Sequence, residues 1–258
     1  MIRRDERAVT DVIGFILVFG LVATTVAIVS VSGLSTLQDA RNAEQINNAE
    51  RAFDVLADNM ADIYQEGAPH RATEVSLDDA TMNTATSVRI NVSGEEKSSG
   101  DLETITNVQS RPVLWRSTQS AETEIAYSLG AVVRADRESG VMVNEPPFVL
   151  QDDRMLLTIV KTRTDNPKSL SGTTVRVRGN QERSSSSVLT GVDDSYDEVK
   201  INITSSRAGV WEQYFERKAI TNSCSIDEET GRERVSCTLD APKEMYVTVN
   251  GVNVELER

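Results

Sequence analysis

RAVTDVIGFILVFGLVATTVAIVSVSGL, residues 7–34, opens a chain that is otherwise acidic and polar. From Val12 to Leu34 it has 23 residues without a charge, rich in Val, Ile, Leu and Phe. About 20 apolar residues at a rise of about 1.5 Å each let a helix cross a bilayer. A helix buried in a globular core would carry a polar face, and here only Thr24, Thr25, Ser30 and Ser32 offer one. Membrane insertion is therefore the reading. Arg3, Arg4 and Arg7 precede the block, whereas Gln38, Asp39 and a lone Arg41 follow it. Counting Lys and Arg alone, the N-terminus stays in the cytoplasm and the chain beyond residue 34 lies outside.

A removable secretory signal has an apolar core of about 7–15 residues and then a small-residue cleavage site. This core is longer, and no break follows it. Ile46, Ala49, Phe53, Leu56, Met60 and Ile63 alternate steps of three and four, one apolar stripe on a helix whose other faces are charged. Neither Gly nor Pro interrupts the run between Gly33 and Gly67, where Gly67 and Pro69 make a stop. The spacing predicts one helix from about Thr10 to Glu66, half lipid-soluble and half amphipathic.

The whole chain has 258 residues and a net charge of −13, and only 6 of its 27 basic residues are lysines. It has no basic surface with which to neutralise phosphates, so nucleic acid is not an expected partner. With 5% aromatic residues and 40 Asp and Glu, the surface suits a protein working in high salt. An acidic surface without environmental meaning is the alternative.

From about residue 71 the pattern changes to short runs of strand periodicity. Expected strands are 87–92, 103–108, 124–127, 131–134, 155–162, 173–178 and 198–203. SGEEKSSG (93–100) and GNQERSSSSVLTG (179–191) read as loops, and ADRESG (135–140) as a tight connection. A short helix is expected at 208–217, with Trp211, Tyr214 and Phe215 inward. Near the C-terminus, VTVNGVNVEL places Asn250-Gly251 between alternating runs, the strongest short cue for a hairpin turn. The midpoint of Cys224 and Cys237 falls between Thr230 and Gly231. A turn there sets the cysteines opposite each other, close enough for a disulfide; two reduced, buried thiols are the alternative. Asn91-Val92-Ser93 and Asn202-Ile203-Thr204 are acceptor sequons for N-glycosylation, plausible on an exported chain; two chance sequons at this length are the alternative.

Catalytic patterns are lacking. One histidine, His70, and two cysteines are too few ligands for a structural zinc, and a single histidine removes most metal and triad chemistry. The sequence has no P-loop, nucleophile elbow, zincin helix or dinucleotide fingerprint. DDSYDE (193–198) has carboxylates for Ca²⁺ but lacks the central glycine and terminal glutamate of a calcium loop, so a solvated turn is expected. No cofactor, metal or enzymatic activity is expected.

The opening residues RAVTDVIGFILVFGLV resemble the N-terminus of archaeal type IV pilins, especially haloarchaeal ones, which often read Arg-Gly-Val-Ser-Pro-Val-Ile-Gly before their apolar helix. Ala8 stands where Gly is commoner and Asp11 where Pro is common. The resemblance implies a prepilin peptidase as a partner, cutting between Ala8 and Val9, and a retained helix that forms the core of a filament with other pilin-like subunits. Such a cut would remove three arginines and two acids, which are costly to bury unpaired. Asp11 would remain near the new α-amino group, to pair with it across subunits or to cap its own helix. Gly14 and Gly20 permit close helix approach, or are incidental in a membrane helix. At this length the resemblance implies a minor pilin or pseudopilin.

The expected architecture is α+β. It comprises a leader (1–8), an apolar transmembrane and assembly helix (9–34), its amphipathic continuation (35–68) and an extracellular, mainly antiparallel β-sandwich-like head (71–258). The rivals are a single-pass anchored binding or envelope protein that never polymerises, and an exported hydrolase with a site built from scattered acids.

Overall fold

In the computed structural model one helix, α1 (Asp5–Tyr64), runs without interruption from the apolar block through the amphipathic stripe. Residues 5–119, 123–136, 139–190, 195–229 and 231–258 are described, with the backbone alone for residues 5–11, 183–190 and 229. By its contacts the chain divides into Met1–Gln45 and Ile46–Arg258. α1 ends where the sequence places the stop. Gly67, at φ +74°, turns the chain back so that the Ala68 amide donates to the Asp62 carbonyl at 3.0 Å.

Sixteen strands and a second helix follow among the described residues. They are β1 (His70–Ser76), β2 (Ala80–Asn83), β3 (Val88–Glu96), β4 (Leu102–Ser110), β5 (Val113–Ser117), β6 (Glu124–Ser128), β7 (Ala131–Ala135) and β8 (Gly140–Asn144). Then come β9 (Phe148–Leu150), β10 (Arg154–Arg163), β11 (Ser169–Ser171), β12 (Thr174–Thr190), β13 (Tyr196–Thr204), α2 (Ala208–Glu216), β14 (Thr221–Glu229), β15 (Arg232–Asp240) and β16 (Glu244–Glu257). They form three sheets, ordered β1-β12-β16-β10-β9, β11-β2-β5-β6-β7-β8 and β14-β15-β13-β3-β4. All neighbours are antiparallel except β10 and β16, which run parallel over Arg154–Arg163 and Glu244–Asn253. The fold is α+β with a sandwich-like head.

The head has two hydrophobic cores, and the parallel pair serves both. Along β16, Met245, Val247 and Val249 are buried in the first core, and Val252, Val254 and Leu256 in the second. In a strand, residues one apart face opposite sides. The buried set changes from odd to even numbers at Gly251, so the strand buries one face in its first half and the other in its second. β10 does the same at the same level: Met155, Leu157 and Ile159 face the first core, Val160 the second, and Val160 pairs with Asn250.

That phase change corrects the hairpin expected at Asn250-Gly251. Both alternating runs belong to one 14-residue strand whose backbone is paired on both sides, with Gly251 opposite Lys161 and Glu182. Each half of the strand covers a core, which a turn would uncouple. The loop expected at 179–191 is likewise corrected through Thr190, since β12 pairs with β16 on both sides of an irregularity between Glu182 and Ser187. Main-chain pairing holds that polar run as a strand, a signal that side-chain periodicity does not carry. β3 similarly extends into SGEEKSSG as far as Glu96 before Gly100, at φ +73°, makes the turn.

The second core receives the α1 stripe. Ile46, Ala49, Phe53, Leu56, Met60 and Ile63 are all buried there, with Val175 and Val177 of β12 and Trp115 of β5. Gly179 makes the close approach possible, since a Cβ on it would lie 2.9 Å from Ile63 Cδ1 and Met60 Sδ. Polar clips flank the stripe: Arg71 Nε donates to Asp62 at 2.8 Å, Asn144 to Asp54 at 3.2 Å and Asn59 to Thr73 at 2.8 Å. The first core receives α2, with Trp211, Tyr214 and Phe215 inward as expected.

Candidate functional site

Among the described residues, most of the exposed large hydrophobic side chains lie on the apolar part of α1. Phe15 is 71% exposed, Leu17 68% and Val31 72%, whereas Ile46 is 8% exposed. Its most apolar 18-residue window has a mean hydropathy of 2.7, and none of that window is buried. The helix is long and apolar enough to cross a membrane. Four of its hydroxyls bond back to their own helix, among them Thr24 Oγ1, which donates to the Gly20 carbonyl at 2.7 Å, and Thr36 Oγ1, which donates to the Ser32 carbonyl at 2.9 Å. At Gly14 and Gly20 nothing lies within 4 Å of the position a Cβ would take. Ala8, Val9 and Asp11 have helical backbone, and their side chains lie outside the described residues.

On the head, two adjoining recesses of about 330 and 290 Å³ share Ala135, Asp136, Ser206 and Arg207. Arg207, just before α2, is 7% exposed and spans to β6, where its guanidinium donates to Glu124. Arg116 Nε donates to the other Glu124 oxygen at 2.6 Å, so one carboxylate serves two arginines. Arg207 Nε is buried without a hydrogen bond. Burial above all lowers the Arg207 pKa, while the Glu124 charge and hydrogen bond oppose that shift. This is a buried ion pair joining the start of α2 to the six-stranded sheet that contains β6. Sequence reading missed it, because the partners lie 83 positions apart and neither belongs to a motif.

The cysteines meet as expected. Cys224 and Cys237 are direct partners on β14 and β15 and form a disulfide, with Cα atoms 4.2 Å apart. Gly231, at φ +76°, supplies the turn, and Thr230 lies outside the described residues. Asn91 and Asn202 sit on β3 and β13, and the register sets them directly opposite each other. Asp193 and Asp194 of DDSYDE lie outside the described residues. Among the described residues no group of three or more His, Cys, Asp or Glu side chains is placed to hold a metal ion.

One family model, a family of unknown function designated DUF7289, matches residues 7–255. The chain belongs to that family. The DUF7289 match begins at Arg7 and takes in the apolar helix together with the head, so the family unit is both parts. No curated protein and no solved structure shows a match to the chain.

Proposed function

We propose that this DUF7289 protein is a membrane-inserted, pilin-like subunit, a minor pilin or pseudopilin of an archaeal type IV pilus-like surface structure. In this reading it assembles through its N-terminal helix while its acidic head stands outside the cell. The observation that carries the reading is the continuity of α1. A fully exposed apolar helix runs into six buried anchor residues of the head without a break. A cleaved signal needs no such continuation. A retained helix does, because the stripe that follows the apolar segment ties it covalently to the head's core. Exposed apolar side chains on all faces are stable only in lipid or against other apolar helices, and the open surface at Gly14 and Gly20 suits helix-to-helix approach. The disulfide fits an oxidising exterior.

N-terminal sequencing and sedimentation of the native protein test this. A start at Val9 in sedimenting filaments supports the pilin-like reading. An intact Met1 start in dispersed membrane protein points instead to a single-pass anchor that does not polymerise.

A further inference from the structure

The sheet β14-β15-β13-β3-β4 buries one face in the first core: Ile90 and Val92 from β3, Ile201 and Ile203 from β13. Alternation puts Asn91 and Asn202 on the other face. Their register is direct, so the two asparagines are cross-strand neighbours with Cβ atoms about 5 Å apart. They occupy the middle of a row that crosses all five strands, Ser225-Ser236-Asn202-Asn91-Asn107. None of the five carries a charge. Of the two flanking rows, one has a single charge, Lys200, held by Glu95 at 3.1 Å, and the other has Asp227, Arg234 and Arg89, so that a single acid lies in the three rows. On a chain of net charge −13 this is a local gap in the acidic surface. Asn91 and Asn202 each begin a sequon, and the fold brings two stretches 111 positions apart onto one spot.

We propose that Asn91 and Asn202 form one paired N-glycan site, and that the two saccharides, rather than charges, hydrate this face of the head. The inference rests on the exported orientation proposed above. At each site the side-chain amide nitrogen displaces the lipid-linked phosphate from C1 of the first sugar of a lipid-phosphate-linked oligosaccharide. The N–C bond forms, the C–O bond to phosphate breaks with its electron pair leaving on the phosphate, and the amide nitrogen gives up one proton. The transfer precedes closure of the sheet. β3 and β13 are both interior strands, so the sequon backbones are paired on both sides. The Ser93 hydroxyl, which completes the first sequon, is 1% exposed and makes no hydrogen bond. A folded sheet cannot present it to an enzyme.

Peptide mass spectrometry of the full chain from its native host, alkylated without reduction, tests the proposal. Ser93→Ala and Thr204→Val each destroy one sequon and leave the asparagine in place. The Ala change removes a hydroxyl that stabilises nothing. The expected result is a saccharide mass on both asparagines in the unaltered chain. S93A should lose it from Asn91 alone and T204V from Asn202 alone. Bare asparagines on a chain whose disulfide is formed and whose head is cut by protease added outside intact cells overturn the glycan site and leave the exported reading standing. Saccharide on one asparagine alone overturns the pairing. A protease-protected head with free thiols overturns the exported reading, and the glycan site with it.

Discussion

Phe53, on the α1 stripe, is wholly buried in the second core. Phe53→Ala leaves a cavity beneath the helix and is expected to lower stability by about 3–4 kcal/mol, read from denaturant midpoints. The next position on that turn behaves differently. The Asp54 pKa is raised, chiefly by burial and then by the charges of Glu50 and Asp58, against a lowering hydrogen bond from Asn144. An acid with a raised folded-state pKa favours the fold below its unfolded-state pKa and loses that contribution as pH rises through the folded-state value. Asp54→Asn keeps an acceptor for Asn144 and is expected to be indistinguishable from the parent below about pH 4. Near neutral pH it should be more stable by a few tenths of a kcal/mol, since the half-exposed site is partly screened. Thermal melts across that range check both the sign and the window. Glu124→Gln should cost about 3 kcal/mol by stranding the buried Arg207 charge. These effects differ in kind: a cavity, a carboxylate partly withdrawn from water and an unpaired ion.

The α1 stripe was readable because one face of one helix meets one core, so the period of the sequence equals the period of the burial. All six positions predicted from spacing are buried. α2 and the cysteine hairpin were readable for the same local reasons. Asn250-Gly251 misled because the turn cue and a change of buried face leave the same mark, two alternating runs joined out of phase. Only the neighbours of β16, which come from residues 154–163 and 174–190, distinguish them. The Arg207–Glu124 pair and the meeting of the two sequons are products of topology, and no local pattern announces them. Gly179 tests how closely α1 must lie on β12. Gly179→Val drives a side chain against Ile63 and Met60, whose ends can shift in part. It is expected to cost about 1–3 kcal/mol in chemical unfolding. Reducing the disulfide should remove about 3 kcal/mol, because it reopens a loop of 13 positions.

The molecule joins a segment that water disfavours to a head that water favours, and α1 belongs to both. Its apolar side chains are exposed, whereas its six anchors are buried in the second core. A charge in the apolar segment should therefore act on location and leave the head's stability alone. Val22→Arg, near the middle of that segment, is expected to cost about 3 kcal/mol of membrane insertion, shifting the chain out of the membrane fraction while the head's melting is unchanged. The intact mass and detergent partition of the mature chain from its native host bear most directly on the claim that the apolar helix is kept and used. A mass that retains residues 9–34, in protein that enters the detergent phase, is the result this account predicts. A water-soluble monomer whose mass begins beyond residue 34 would contradict it.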